Sequence, residues 1–228
     1  MMLSLKNISK SFGGIKAVDR CTFEVKENTI TSLIGPNGAG KTTAFNIISG
    51  LTKADAGTIR LSGKNITDMP AYRIAQSGIS RTFQLTKVFR NLSIKDNLLI
   101  AKKTDENEMQ EMLKSVYLEK SLDTVASELS YGQQRLLEMA RSLLMPHSLL
   151  MLDEPTAGVN PKVRQELKVI LKNLRKEGKT VLLIEHDMEF VMDISDEVIV
   201  LNEGKVLKIG KPKQIMNDKK VLEAYLGK

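Results

Sequence analysis

The segment Gly35-Pro36-Asn37-Gly38-Ala39-Gly40-Lys41-Thr42-Thr43 constrains this chain more than any other stretch. It fits the spacing G-x-x-x-x-G-K-[ST], in which glycines let successive backbone N–H groups turn toward one anion. Such a loop belongs between a strand and a helix, and the sequence supplies both. Residues 29–34 are β-branched-rich, as in a buried strand. Phe45, Ile47 and Ile48 then form one apolar helical face that stops at Gly50. A helix opening near Lys41 aims the positive end of its dipole at the bound anion. Lys41 can reach the outer phosphates of a nucleotide, and the Thr42 hydroxyl can ligate Mg²⁺. The expected fold is therefore α/β, a phosphate-loop hydrolase core around a mostly parallel sheet.

Other segments fit that frame. Residues 2–8 and 22–26 alternate like strands of a small antiparallel β-subdomain, with 57–61 joining them. Leu149-Leu150-Met151-Leu152 and Val181-Leu182-Leu183-Ile184 are continuous apolar runs, the mark of parallel strands buried on both faces. Between them Val163, Leu167, Ile170, Leu171 and Leu174 keep helical spacing up to Glu177-Gly178. Strand, helix, strand implies a right-handed crossover in a doubly wound sheet. Residues 197–201 and 205–209 flank Asn202-Glu203-Gly204 as a hairpin. From about 88 to 128 the apolar spacing is helical, with a polar break at 102–108. This reads as a helical subdomain inserted in the core, extending through the next helix to about residue 140. Residues 1–228 are expected to form one domain carrying that insertion.

Net charge is +7, and from Lys205 onward seven lysines stand against Asp218 and Glu223. Tyr225 alone stands among these lysines, which makes no row of stacking platforms, so nucleic acid is not an expected partner, and the charge reads as a solvated face. No apolar run approaches the ~18–20 residues of a membrane span. The start lacks a signal peptide's apolar core, and the single Cys21 excludes an intrachain disulfide. A cytoplasmic location is expected.

Asp153-Glu154 ends the first apolar run, at the carboxyl edge where ligands of open α/β sheets sit. There Asp153 can hold Mg²⁺, and Glu154 can orient or deprotonate an attacking water. Adjacent carboxylates at a dry strand end are costly unless a cation is near. Upstream, Leu129-Ser130-Tyr131-Gly132-Gln133-Gln134 places Ser130 and Gln133 at capping-box spacing, ahead of the helical positions Leu136, Leu137, Ala140, Leu143 and Leu144. A capped helix start beside a glycine is also an anion site, and both readings stand.

Together these segments resemble the ATP-binding cassette (ABC) ATPases along essentially the whole chain. The resemblance makes Leu129–Gln133 the family signature, usually Leu-Ser-Gly-Gly-Gln, with Tyr131 at the third position. It implies that residues 35–43 cradle the phosphates of ATP, that the ring of Phe12 lies under adenine, and that Val18 lines the same pocket. It further implies a catalytic set of Lys41, Gln84, Glu154 and His186, with Gln84 sensing Mg²⁺ beside Thr42 and Asp153, and His186 contacting the γ-phosphate. Two copies, identical or paralogous, would sandwich two ATPs head to tail, with Ser130, Gly132 and Gln133 of one subunit closing on the nucleotide of the other. Asn160 stands where the family usually has aspartate, in a loop that crosses the dimer interface. His147, beside Pro146, reads as a surface loop residue. Integral membrane permease subunits would dock in the groove between core and insertion near Gln84, holding the protein on the inner face of the membrane. Ala-Gly-Val-Asn-Pro, Ser-Arg-Thr-Phe-Gln and the ending Glu223-Ala224-Tyr225-Leu226-Gly227 are similar to the ATPases of branched-chain amino-acid importers. Cassettes for urea or lipopolysaccharide transport share some of these features, and a soluble ABC ATPase not coupled to transport is the remaining alternative.

Overall fold

In the computed structural model, residues 1–82 and 88–226 are described, residue 226 by its backbone alone. The chain opens with a hairpin in which β1 (Leu3–Phe12) turns at Gly13-Gly14 into β2 (Ile15–Val25). β1 also pairs antiparallel with β4 (Ala56–Leu61), which pairs with the short β5 (Lys64–Asn65). Both long strands extend beyond the alternating stretches at 2–8 and 22–26. The alternation breaks because the β1–β2 register shifts between Leu5 and Ile8 and again between Ile8 and Lys10, with Asn7 and Arg20 at positive φ. Such irregularities reset which face a side chain meets, and the period of two is lost.

The second sheet has six strands. β3 (Ile30–Ile34) lies between β8 (Thr180–Ile184) and β9 (Glu197–Asn202), parallel to both. β7 (Leu149–Asp153) pairs with β8, and β6 (Ile79–Arg81) with β7, also in parallel. β10 (Lys205–Gly210) finishes the opposite edge, antiparallel to β9 through the expected hairpin. Every residue of β3, β7 and β8 is buried, which is why 149–152 and 181–184 read as unbroken apolar runs, while β3 buries Thr31 and Ser32 among its apolar residues.

Alternate residues of those strands face two different cores. Ile30, Leu150, Leu152, Val181 and Leu183 pack with α5 (Tyr131–Leu144), α6 (Pro161–Lys176) and the insertion. Leu33, Leu149, Met151, Leu182 and Ile184 pack with α1 (Lys41–Ile48) and the antiparallel sheet. Helix α2 (Ala71–Gln76) precedes β6. The insertion contains α3 (Ile94–Ala101), α4 (Glu106–Ser115) and a 3₁₀ turn before α5. Its polar break is shorter than expected, because α4 begins at Glu106. The Asp105 side chain accepts from Glu108 N there, so the charged run at 105–108 is a helix start and not a loop. After α7 (Met188–Ile194) and the hairpin, α8 (Pro212–Met216) and α9 (Lys219–Leu226) cover a small third cluster around Ile34, Val200, Ile215 and Val221.

Candidate active site

Three neighbouring parallel strands end on one side of the sheet, and each hands a loop to the same place. β3 runs into residues 35–43, β7 into Asp153 and Glu154, and β8 into Glu185 and His186. Gly40 has φ +98°, and a Cβ added there would stand 2.3 Å from Ala17 O. Any larger residue would push the loop away from the β1–β2 hairpin. The loop is also held from far along the chain. Gly204 N donates to Ala39 O (3.1 Å), and Gly204 O accepts from Asp19 N (2.9 Å).

Around the loop opens a depression of about 410 Å³, lined by residues 37–43 together with Ala17, Glu154 and His186. A larger cavity of about 650 Å³ between α4, α5 and α6 contains none of the loop residues. Convergent chemistry, not size, marks the smaller one as the site. Lys41 folds back on its own loop, with Nζ donating to Gly35 O (2.7 Å) and Pro36 O (2.9 Å). Burial holds this lysine below its ordinary pKa, while Glu154 and Asp153 pull it upward. A phosphate oxygen would give the ammonium a charged partner in place of two carbonyls. Thr42 is exposed and lines the depression.

Asp153 is buried, and burial raises its carboxyl pKa against the opposing pull of Arg81, whose Nη2 lies 3.2 Å from Oδ2. Arg81 is itself lowered by burial, so on both sides desolvation outweighs the pairing. Arg81 also donates to Ser49 Oγ (2.7 Å) past the end of α1, with its guanidinium 5.5 Å from the centroid of the Phe45 ring. Among the described residues no cluster of three or more His, Cys, Asp or Glu side chains could hold a metal alone. One hydroxyl and one buried carboxylate whose charge is disfavoured suit Mg²⁺ that takes its remaining oxygens from nucleotide phosphates and water.

Glu154 adopts φ +49°, a left-handed conformation that costs on the order of 1 kcal/mol in a non-glycine residue. Its main chain is clamped on both sides. Its N–H donates to Ile184 O (3.0 Å), and its carbonyl accepts from Ala157 N (3.1 Å) and from Arg135 Nη2 (2.8 Å). The clamp turns the carboxylate toward His186, with Oε1 3.0 Å from Nε2. Facing a carboxylate acceptor, Nε2 is the ring nitrogen that carries the proton.

The remaining expected residues are dispersed. Phe12 lies at the end of β1, 51% exposed, with Lys10 Nζ 5.4 Å from its ring centroid. Val18 is fully buried in the core, and Ala17 is the residue of that strand that lines the depression. Gln84 lies outside the described residues. Ser130 caps α5 with a complete capping box: Gln133 N donates to Ser130 Oγ (3.3 Å), and Ser130 N donates to Gln133 Oε1 (3.0 Å). Ser130, Gly132 and Gln133 do not line the depression of their own chain. The Tyr131 ring packs over Gly158, where a Cβ would meet Cε1 at 3.1 Å. Asn160 caps α6, its Oδ1 accepting from Val163 N (3.0 Å). His147 is half-buried, its Nδ1 2.7 Å from Met145 O, and burial lowers its pKa.

Sequence reasoning missed Ala17, Arg81, Arg135 and Glu185. Ala17 carries no signal. Arg135 and Glu185 share one, a charged residue set against an apolar run, where burial demands specific partners, whereas Arg81, between Ser80 and Thr82, shows none.

The model of the ABC transporter family matches residues 18–157. The high-affinity branched-chain amino acid transport ATP-binding protein BraF of Pseudomonas aeruginosa is 41% identical, over 99% of this chain and 98% of its own. LivG of Escherichia coli, with the same description, is 40% identical over the same shares. The lipopolysaccharide export system ATP-binding protein LptB of Haemophilus influenzae is 33% identical, over 99% and 97%. A crystal structure of a nucleotide-free ATP-binding cassette from an ABC transporter superposes with a TM-score of 0.91 at 31% identity, covering 100% of this chain and 99% of that one. The ADP conformation of another such cassette gives 0.89 at 32% identity, with the same coverage. Likeness of this extent, over a sheet edge that already gathers a phosphate loop, paired carboxylates and a histidine, makes the chain a member of the ABC transporter family, an ATP-binding cassette that hydrolyses ATP.

Proposed function

We propose that this cassette energises uptake of branched-chain amino acids through separate permease subunits, working as one of a pair of ATPase subunits on the inner face of the membrane. The observation that carries the reading is identity of about two residues in five, end to end, with ATP-binding proteins described by that transport. Lipopolysaccharide export is the more distant relation. No helix among the described residues is long and apolar enough to cross a membrane, so the spans would come from partners. A groove of about 400 Å³ beside the end of β6, where Phe89, Ile100 and Met145 stand among Arg81, Glu138 and Arg141, offers a permease loop both an apolar and a charged contact. Residues 1–228 act as one ABC ATPase domain, with 88–140 as its inserted signature-bearing part.

Within the site, Lys41 exchanges its two loop carbonyls for phosphate oxygens of ATP, with residues 35–43 supplying backbone N–H groups and Phe12 a stacking face for adenine. Glu154 Oε1 accepts the proton of the attacking water, and His186 Nε2–H turns to a γ-phosphate oxygen. Thr42 and Asp153 would hold Mg²⁺, which would neutralise phosphate charge, and Gln84 is proposed as a further ligand. Purified Glu154→Gln protein should bind ATP as the parent does and release phosphate at least ~10²-fold more slowly, the lower range for losing a positioned base. Vesicles bearing the permeases should take up labelled leucine only with the parent protein and ATP. Near-parental turnover by the variant would remove Glu154 from the role, and uptake indifferent to leucine, isoleucine and valine would remove the substrate class.

A further inference from the structure

Glu185 is 2% exposed, and its carboxylate accepts four hydrogen bonds, two on each oxygen, from two different loops. Oε1 takes Thr156 N (2.9 Å) and Thr156 Oγ1 (2.7 Å). Oε2 takes His186 N (3.0 Å) and Asp187 N (3.3 Å). Thr156 sits two residues beyond Glu154, in the turn closed by Ala157 N and Glu154 O. His186 is the residue whose Nε2 meets Glu154 Oε1. One buried carboxylate thus fastens the loop leaving β7, two residues past Glu154, to the loop leaving β8 at His186. We infer that Glu185 is a positioning residue, a bridge that fixes the Glu154–His186 distance during hydrolysis without touching the nucleotide.

The chemistry favours a carboxylate here. A buried charge is tolerated when hydrogen bonds satisfy its lone pairs, and four donors do so. A glutamine has the same shape but only one oxygen, so its NH₂ would confront the donors of one loop and release that loop. Thr156 starts the segment that runs through Gly158, under the Tyr131 ring, to the α6 cap at Asn160. Asp187, at the other end, caps α7 through Phe190 N (2.9 Å) and pairs with Arg164 of α6 (2.7 Å). Both halves of the bridge therefore belong to rigid surroundings, and a change at Thr156 is passed to His186 rather than absorbed.

The inference rests on Glu154 and His186 acting as proposed, and a double-mutant cycle separates the two claims. Glu185→Gln should keep its melting transition and bind ATP within ~3-fold of the parent, while kcat falls at least ~10-fold with KM little changed, since only alignment in the transition state is lost. In a His186→Ala background the same Glu185→Gln change should cost less than ~3-fold, because the residue it positions is already gone. An equal cost in both backgrounds, or parental kcat in Glu185→Gln, would overturn the bridge. Parental turnover by Glu154→Gln and His186→Ala themselves would instead overturn the functional reading beneath it. Should Glu185→Gln fail to fold, Thr156→Val removes a single hydroxyl bond at nearly constant volume. A loss in kcat that vanishes in the His186→Ala background supports the bridge there too, and an additive loss rejects it.

Discussion

At the scale of single residues, the site consists of side chains whose backbone has been forced into place. Glu154 could be located from sequence because two acids ending an apolar strand are tolerated where a cation-bearing ligand sits, and the phosphate loop supplies that ligand. Its left-handed φ and the Arg135 clamp could not, because they arise from residues remote in the chain. Phe12 shows a similar division. Its place before the phosphate loop was readable, while its exposure follows from a hairpin whose turn at Gly13-Gly14 leaves the ring uncovered. Phe12→Ala should weaken nucleotide binding by ~0.5–1.5 kcal/mol, the scale of one aromatic contact, without lowering the melting temperature of the free protein. Fluorescent-nucleotide titration reads the first quantity and calorimetry the second. Unchanged affinity would move the adenine site elsewhere.

At the scale of elements, helices were read well where their ends carry chemistry. Ser130 with Gln133 marked the start of α5, and both reciprocal bonds are present. The first turn of α4 falls inside the polar break at 102–108 because it is acidic, a favourable arrangement at the positive end of a helix dipole that resembles a loop when polarity alone is weighed. The β1–β2 strands were cut short because their register shifts erase the alternation. Asn160 combines a cap with Pro161 at the first helical position. Asn160→Ala should destabilise the fold by ~1 kcal/mol through the lost cap. Asn160→Asp should keep the cap and add ~0.3–1 kcal/mol at low ionic strength, because a negative charge then meets the helix N-terminus. Urea unfolding of the three proteins at low and high salt is the check, and an Asp variant no more stable than the parent would reject the dipole argument.

At the scale of the whole molecule, the order of strands was not legible. Apolar runs reveal burial on both faces and say nothing of which neighbour lies beside which, so β3 between β8 and β9 emerges only from the pairing. Nor does one chain complete the expected nucleotide sandwich, since Ser130, Gly132 and Gln133 stand apart from their own phosphate loop depression. Mixing Ser130→Arg subunits with Lys41→Ala subunits should restore ATP hydrolysis that each variant lacks alone, because a mixed pair holds one intact composite site. If mixed pairs form and stay inactive, a nucleotide-dependent crosslink between cysteines set near Ser130 and Gly38 distinguishes a wrong arrangement from a need for two intact sites. The hold of Gly204 on Ala39 and Asp19 has a bearing on how such a protein is made. The ribosome delivers the glycine-rich loop early and the residues that brace it much later. A nascent chain that has emerged only through β8 owns the complete motif yet lacks β9 beside β3 and the turn that fixes the loop. A chain ending at β8 should therefore grip nucleotide more weakly than the whole protein, since the strand and the turn that brace the loop come with the last hairpin.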